Sequence, residues 1–223
     1  DECAETNVEI KTKCTVERIH TTSEESKAPY LLHTNLGTFS SKALVVASGG
    51  LSIPTLGSSG FGYDIAEQFE LPLRPRTAGL VPFIFTDQIK TMTENLSGLA
   101  LDVSIRVNDT SFRENMLFTH RGISGPSALQ ISNYWTQGDS IFINLLPDDN
   151  AEALILSLKH THPKSLLRNA LSDIFSKNFC MALQTLWWPK DSEKTLAEFS
   201  DHRLKEIAEN LSNWKLKPAG TEG

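Results

Sequence analysis

Two stretches of this chain set small residues beside groups that can do chemistry. The first runs Ala47-Ser48-Gly49-Gly50-Leu51-Ser52 and continues through Gly57-Ser58-Ser59-Gly60-Phe61-Gly62. Glycine has no side chain, so backbone N–H groups there can come close to a ligand, and it tolerates φ > 0. Two bare stretches in succession leave donors in need of acceptors, and phosphate or flavin carbonyl oxygens would serve. The same residues also read as a tight connection in which Gly49-Gly50 solves only a steric problem. The second stretch is Thr119-His120-Arg121-Gly122-Ile123-Ser124-Gly125-Pro126. It puts His120 and Arg121 beside two glycines just before a helix start, and helix N-termini favour anions. In that reading His120 handles a proton and Arg121 holds an anionic group. In the plainer reading the hydroxyls cap the helix and His120 is a solvated side chain.

Several chemistries lack the residues they need. No GxGxxG and no GxxxxGK[ST] occurs, so the primary phosphate-binding unit of a dinucleotide fold or a P-loop is absent from the sequence. Gly57-Ser58-Ser59-Gly60 misses the G-x-S-x-G of a nucleophile elbow by one residue. The nearest approach to a histidine metal pair, His160-Thr161-His162, precedes Pro163 and reads as a solvated helix connection. Cys3, Cys14 and Cys180 are odd in number and form no CxxC, so neither a disulfide framework nor a zinc site is indicated. That usage fits a reducing, cytoplasmic setting. Trp187-Trp188 before Pro189 reads as core packing rather than a stacking platform, because the surroundings are not basic.

Composition bounds the partners. Of 223 residues, 39% are hydrophobic and 22% charged, which fits a globular chain with a real core. The net charge of −6 and the lack of a basic stripe argue against a nucleic-acid partner or an anionic membrane. No apolar run approaches the roughly 20 residues that span a bilayer. The start, Asp1-Glu2-Cys3-Ala4-Glu5, has no basic region of a signal peptide and reads as the tail of a helix running into a strand.

These stretches must be held by regular elements. Asn7–Ile10 and Cys14–Ile19 alternate as half-buried strands do, and Thr21–Pro29 is a polar turn. Tyr30–Thr34 and Gly37–Ser40 form a hairpin. Ala43–Ala47 is apolar on both faces, as expected of a strand covered on both sides. A helix over 63–70 follows the glycine loop and is stopped by Pro72 and Pro75. At Ala78-Gly79-Leu80-Val81-Pro82-Phe83 the character changes, and 80–145 is β-rich. Val103, Ile105 and Val107 alternate before an Asn108-Asp109 turn, Phe112–Phe118 returns, Pro126 opens a short helix to about Tyr134, and Asp139–Leu146 is a strand. Residues 148–216 are helical in pattern, with Leu166, Leu167, Ala170, Leu171, Ile174 and Phe175 on one face and Leu204, Ile207, Ala208, Leu211 and Trp214 on another. Asp148 or Asp149 would cap the first of these helices, and Thr195 with Glu198 makes a capping box. The tail from Lys217 has nothing to pack.

The ordered set of motifs resembles the YhiN/BaiN-like flavoproteins of the glutathione-reductase-like, two-dinucleotide-binding-domain group. The residues that carry the resemblance are Ala47 through Tyr63, the Gly79-Leu80-Val81-Pro82 break, and Phe118 through Pro126 with Leu129-Gln130-Ile131-Ser132. It extends over essentially the whole chain, with Ser48 where the family usually has Thr. The resemblance implies an α+β chain: a β-rich partial FAD-binding domain over 1–79, a small β-barrel-like insert over 80–147, a helical insert over 148–217 and a tail over 218–223. By the same token it implies an internal fragment, without the N-terminal GxGxxG unit and the C-terminal FAD segment. Ala47, Ser48, Gly49 and Gly50 would then lie along FAD, with Ser52, Gly57, Gly60 and Gly62 toward the flavin end. Val16 would offer its backbone to the adenine. His120 and Arg121 would face the substrate, as proton donor and anion holder.

The function implied is part of an FAD-dependent oxidoreductase, with NAD(P)H as electron donor and a small molecule as substrate. The alternative is an insert module that binds a substrate or partner without flavin and without catalysis. Ala43–Ala47, lacking parallel neighbours, is expected to leave an exposed sheet edge through which copies could self-associate.

Overall fold

The computed structural model describes residues 2–22, 27–52, 55 and 57–222. Ile53, Pro54 and Leu56 of the glycine loop, and 23–26 of the polar turn, lie outside the described residues. The chain divides into two compact units, Asp1–Arg76 and Thr77–Gly223.

The first unit opens with α1 (Glu2–Glu5) and carries a three-stranded antiparallel sheet, β1 (Val16–Thr21), β2 (Tyr30–Thr34) and β3 (Gly37–Ser41), in that spatial order. One helix follows, α2 (Phe61–Gln68), and Gln68 Nε2 donates to Ile19 O at 2.7 Å. Among the described residues of this unit, the buried hydrophobics are Ile19 and Ile65.

Two expected strands are absent here. Asn7–Ile10 is irregular, with Val8 and Ile10 exposed. Ala43–Ala47 is no strand either, and Val45 is 85% exposed rather than covered on both sides. An apolar run becomes a central strand only where a neighbour accepts and donates its ladder hydrogen bonds. Among the described residues none does so, and the expected sheet edge is an unpaired segment.

The second unit holds the large core. Its strands are β4 (Phe83–Ile84), β5 (Ala100–Val107), β6 (Thr110–Phe118), β7 (Gly122–Ser124), β8 (Ile141–Asn144), β9 (Trp214–Leu216) and β10 (Gly220–Thr221). All pairings are antiparallel, in the order β10-β4-β7-β6-β5-β8-β9. Alternation sets the faces. Val103, Ile105 and Val107 of β5 point inward beside Ile141 and Ile143 of β8 and Trp214 and Leu216 of β9, all buried. Each such side chain removed from water contributes about 1.5–3 kcal/mol.

Helices cover that core: α3 (Asp87–Asn95), α4 (Pro126–Ser132), α5 (Ala151–Thr161), α6 (Leu167–Ala170), α7 (Lys177–Trp187) and α8 (Asp201–Ser212). The result is the expected α+β architecture, an antiparallel barrel-like part followed by a helical part. Among the described residues, no helix is long and apolar enough to cross a membrane.

Details depart from the sequence reading for identifiable reasons. Trp214, expected on a helix face, instead begins β9 opposite Ile143, because α8 ends at Ser212 and the chain turns back into the sheet. The expected tail likewise contains β10, paired with β4, and Glu222 N donates to Pro82 O. α3 was not anticipated within the β-rich stretch. Asn150, not Asp148 or Asp149, caps α5 by accepting from Ala153 N at 2.9 Å, while Asp148 is engaged by Arg113. The Thr195–Glu198 capping box forms, on a short 3-10 turn.

Candidate functional site

The glycine loop packs back on the first turn of α2. A Cβ on Gly62 would lie 3.0 Å from Ser48 Oγ, and one on Gly50 would lie 3.7 Å from the Tyr63 hydroxyl. Gly49 has φ +75° with open space beside it, so a side chain there is opposed by backbone conformation and not by a neighbour. Ala47, Ser48 and Gly49 are exposed and Gly50 half-buried. Among the described residues, none of the four N–H groups from Ala47 to Gly50 donates to a protein acceptor. Ser52 and Gly57 are exposed, and Gly60 and Gly62 half-buried at the start of α2. The Arg76 guanidinium sits over the Tyr63 ring at 4.3 Å from its centroid. Val16 opens β1 opposite Thr34, and the register slips between Val16 and Arg18. Such a bulge leaves backbone groups unpaired.

The second stretch is less open than its composition indicated. Gly122–Ser124 is β7, a strand between β4 and β6, and only Thr119–Arg121 forms a turn. Thr119 N donates to Gly122 O at 2.8 Å, and Thr119 Oγ1 accepts from Gly122 N at 3.1 Å. A Cβ on Gly122 would lie 2.1 Å from Phe83 O. Gly125 has φ +87°, and a Cβ there would meet Asn115 O at 2.7 Å. Ser127, fully buried, donates to that same carbonyl at 3.2 Å. The N-terminus of α4 is therefore closed against the β6 backbone, and both glycines serve close packing rather than an anion cradle. His120 is exposed at the tip of the turn. Arg121, also exposed, pairs through Nη1 with Glu222 Oε1 at 2.6 Å, and its carbonyl accepts from Phe85 N at 3.0 Å.

On the outward face of the sheet, three residues not singled out from the sequence come together. Arg106 of β5 stands opposite Phe142 of β8, which stands opposite Lys215 of β9. The guanidinium lies 4.5 Å and the ammonium 5.9 Å from the Phe142 centroid. The outward phase of β5 was visible in the alternation, but β9 was read as helix, and the cross-strand register that aligns the three residues was not visible. On the same face Arg113 binds Asp148 through both Nη atoms at 2.6 Å and Asp102 at 2.9 Å. The hydrogen bonds from Arg113 hold the Asp148 carboxyl below its usual range. Trp188 is buried as core, whereas half-buried Trp187 meets Trp214 edge-on at 5.7 Å.

The family whose sequence model matches is described as the HI0933-like protein barrel and H2TH domain, and the match runs over residues 77–223. The chain belongs to the HI0933-like family. That placement agrees with the flavoprotein resemblance carried by the two loops, and its barrel description fits the second unit.

Among relatives of this HI0933-like chain, one from Haemophilus influenzae and one from Escherichia coli are each named ribosomal RNA dihydrouridine synthase. Both are 39% identical to it, over 225 and 224 residues, covering all of this chain but 55% and 54% of the relatives. The chain thus spans about half the length of the curated relatives it matches. Their shared name corrects the expectation of a small-molecule substrate and no nucleic acid. Net charge is a sum over the whole chain, and a local cluster such as Arg106 with Lys215 is invisible in it.

Proposed function

We propose that this chain is part of a flavin-dependent enzyme that reduces uridine to dihydrouridine in ribosomal RNA. The observation that carries the reading is the 39% identity to two proteins of that name over the full length of the chain, both loops included. An rRNA substrate implies a cytoplasmic site of action. Dihydrouridine differs from uridine by two hydrogens across the C5=C6 bond, so one carbon must gain a hydride and the other a proton. FAD, when bound, would carry the electron pair from NADH or NADPH to that bond.

The first unit has a surface that fits such a group. The bare N–H groups of Ala47, Ser48, Gly49 and Gly50, beside a left-handed Gly49 with open space around it, offer donors to its oxygens. Ser52, Gly57, Gly60 and Gly62 add small residues before and at the N-terminus of α2. Val16 contributes backbone at its bulge toward the adenine.

In the second unit, His120 holds the proton destined for the substrate carbon. Its exposed imidazole is carried on a turn anchored to β4 and β7, which limits the positions it can take. Arg121 steadies an RNA phosphate by exchanging half-buried Glu222 for it, an exchange eased by the exposure of the guanidinium.

The test is the dihydrouridine content of rRNA, read by nucleoside mass spectrometry, in cells lacking the gene and in cells given it back. Loss and restoration are expected, and a content indifferent to the gene would end the proposal. In the same cells His120→Ala should keep bound flavin and lower turnover on the order of 100-fold or more, the usual worth of a positioned proton donor. Full turnover by His120→Ala would remove His120 from the reaction.

A further inference from the structure

We infer that the row Arg106–Phe142–Lys215, extended by Lys217, is a contact surface for unpaired RNA. The inference rests on the proposed RNA substrate and locates part of its binding surface. Three strands put the row in register: Arg106 opposite Phe142 opposite Lys215. Lys217 follows two residues on and is exposed, as are Arg106 and Lys215. Arg106 donates to Asn108 O at 3.2 Å, and among the described residues neither it nor Lys215 has a carboxylate partner. Asp102 and Asp148, on this face, are both taken up by Arg113. Two cations are thus left uncompensated on a chain of net charge −6.

The chemistry selects RNA over a merely anionic surface. Phe142 is half-buried, and a cation beside a partly exposed ring stabilises a fold by only about 0.5–1 kcal/mol, for which one would suffice. Here two flank one ring, and the guanidinium lies 4.5 Å from its centroid. An unpaired base stacks on an aromatic ring or an Arg plane, while adjacent ammonium groups hold its phosphates. Beyond β9, Lys215 and Lys217 also line a groove of about 490 Å³ together with Trp187, Trp214 and one carboxylate, Asp87. A strand crossing the sheet therefore meets a second aromatic group past the first.

The test compares the chain with R106Q/K215Q and with a charge-matched control, K164Q/K177Q, by fluorescence anisotropy on labelled oligouridine over a salt series. Single-stranded contacts contribute a slope of about −0.7 each in log K against log salt, so R106Q/K215Q should flatten the slope by roughly 1.4. R106K should keep the slope and weaken binding, because the charge stays and the plane goes. Equal slopes for chain and double variant, or the same loss in the control, would overturn the patch. Polyglutamate competing as well as oligouridine would also overturn it, by showing charge recognition alone. The same variants are placed in the native gene and rRNA dihydrouridine is measured. Wild-type restoration with unimpaired R106Q/K215Q refutes the patch but not the enzyme. RNA binding that depends on the patch, without any dihydrouridine, refutes the enzyme but not the patch.

Discussion

Replacing Gly122 by Ala tests whether the Thr119–Pro126 stretch is shaped by packing. The added Cβ would lie 2.1 Å from Phe83 O, 3.0 Å from Phe83 C and 3.1 Å from Ile84 Cα. All three are backbone atoms of the paired strand, so no side chain can swing aside, and β4 must separate from β7. Overpacking of this kind costs about 1–3 kcal/mol. Separation also endangers the bonds from Phe85 N to Arg121 O and from Thr119 N to Gly122 O, at about 0.5–1.5 kcal/mol each. The sum is about 4 kcal/mol, which lowers Tm by roughly 8–16 °C for a unit of this size. Tryptophan fluorescence is the right probe, because Trp135, Trp187, Trp188 and Trp214 all belong to the second unit. Trp135 is closest to the lesion, edge-on to Phe83 at 5.5 Å. A Tm within about 2 °C of wild type would refute the packing account.

Other expectations separate the two units and the two kinds of glycine. Gly49→Ala strains the backbone of the first unit only, so the tryptophan melt of the second unit should not move, while flavin retained by the gene product, measured by absorbance, should fall; unchanged flavin would remove Gly49 from the cofactor surface. Ile105→Ala, fully buried in β5, should cost about 2–5 kcal/mol in urea unfolding, and a loss under about 1 kcal/mol would mean that the core is looser than its burial indicates. The Arg113–Asp148 pair gives a pH signature with a definite sign. Because the folded Asp148 pKa is depressed, chiefly by the Arg113 hydrogen bond, its contribution is present above the unfolded value of about 3.9 and lost as pH falls through the folded value. The urea midpoints of wild type and Arg113→Gln should therefore differ at neutral pH and converge only below about pH 4; convergence already at pH 6 would assign the effect to another group.

What was legible in the sequence were local signals, above all the alternation of β5 and the turn that follows it. The Val103/Ile105/Val107 phase predicted which face of β5 is buried, and the Asn108-Asp109 turn fixed where β6 begins. What failed to read through was partnership. Ala43–Ala47 has the composition of a covered strand yet no ladder among the described residues. Gly122 and Gly125 read as part of an anion-binding loop or a helix-capping turn, but the backbones of β4 and β6 approach them too closely for any side chain. Whole-chain charge could not reveal a local pair such as Arg106 and Lys215, which are far apart in sequence and come near each other only across β8.

The sequence alone determined the local terms: which residues alternate, where the Thr195–Glu198 box starts a helical turn, and where bare backbone is available at Gly49-Gly50. Those follow from side-chain periodicity and short-range hydrogen bonding within a few residues. The tertiary structure decided the rest: that Trp214–Leu216 returns to the sheet, that Gly122 is a packing glycine, and that Phe142 is flanked by two cations. Strand register couples residues dozens of positions apart, and a shift of one residue would turn Arg106 into the core and Ile105 out to water.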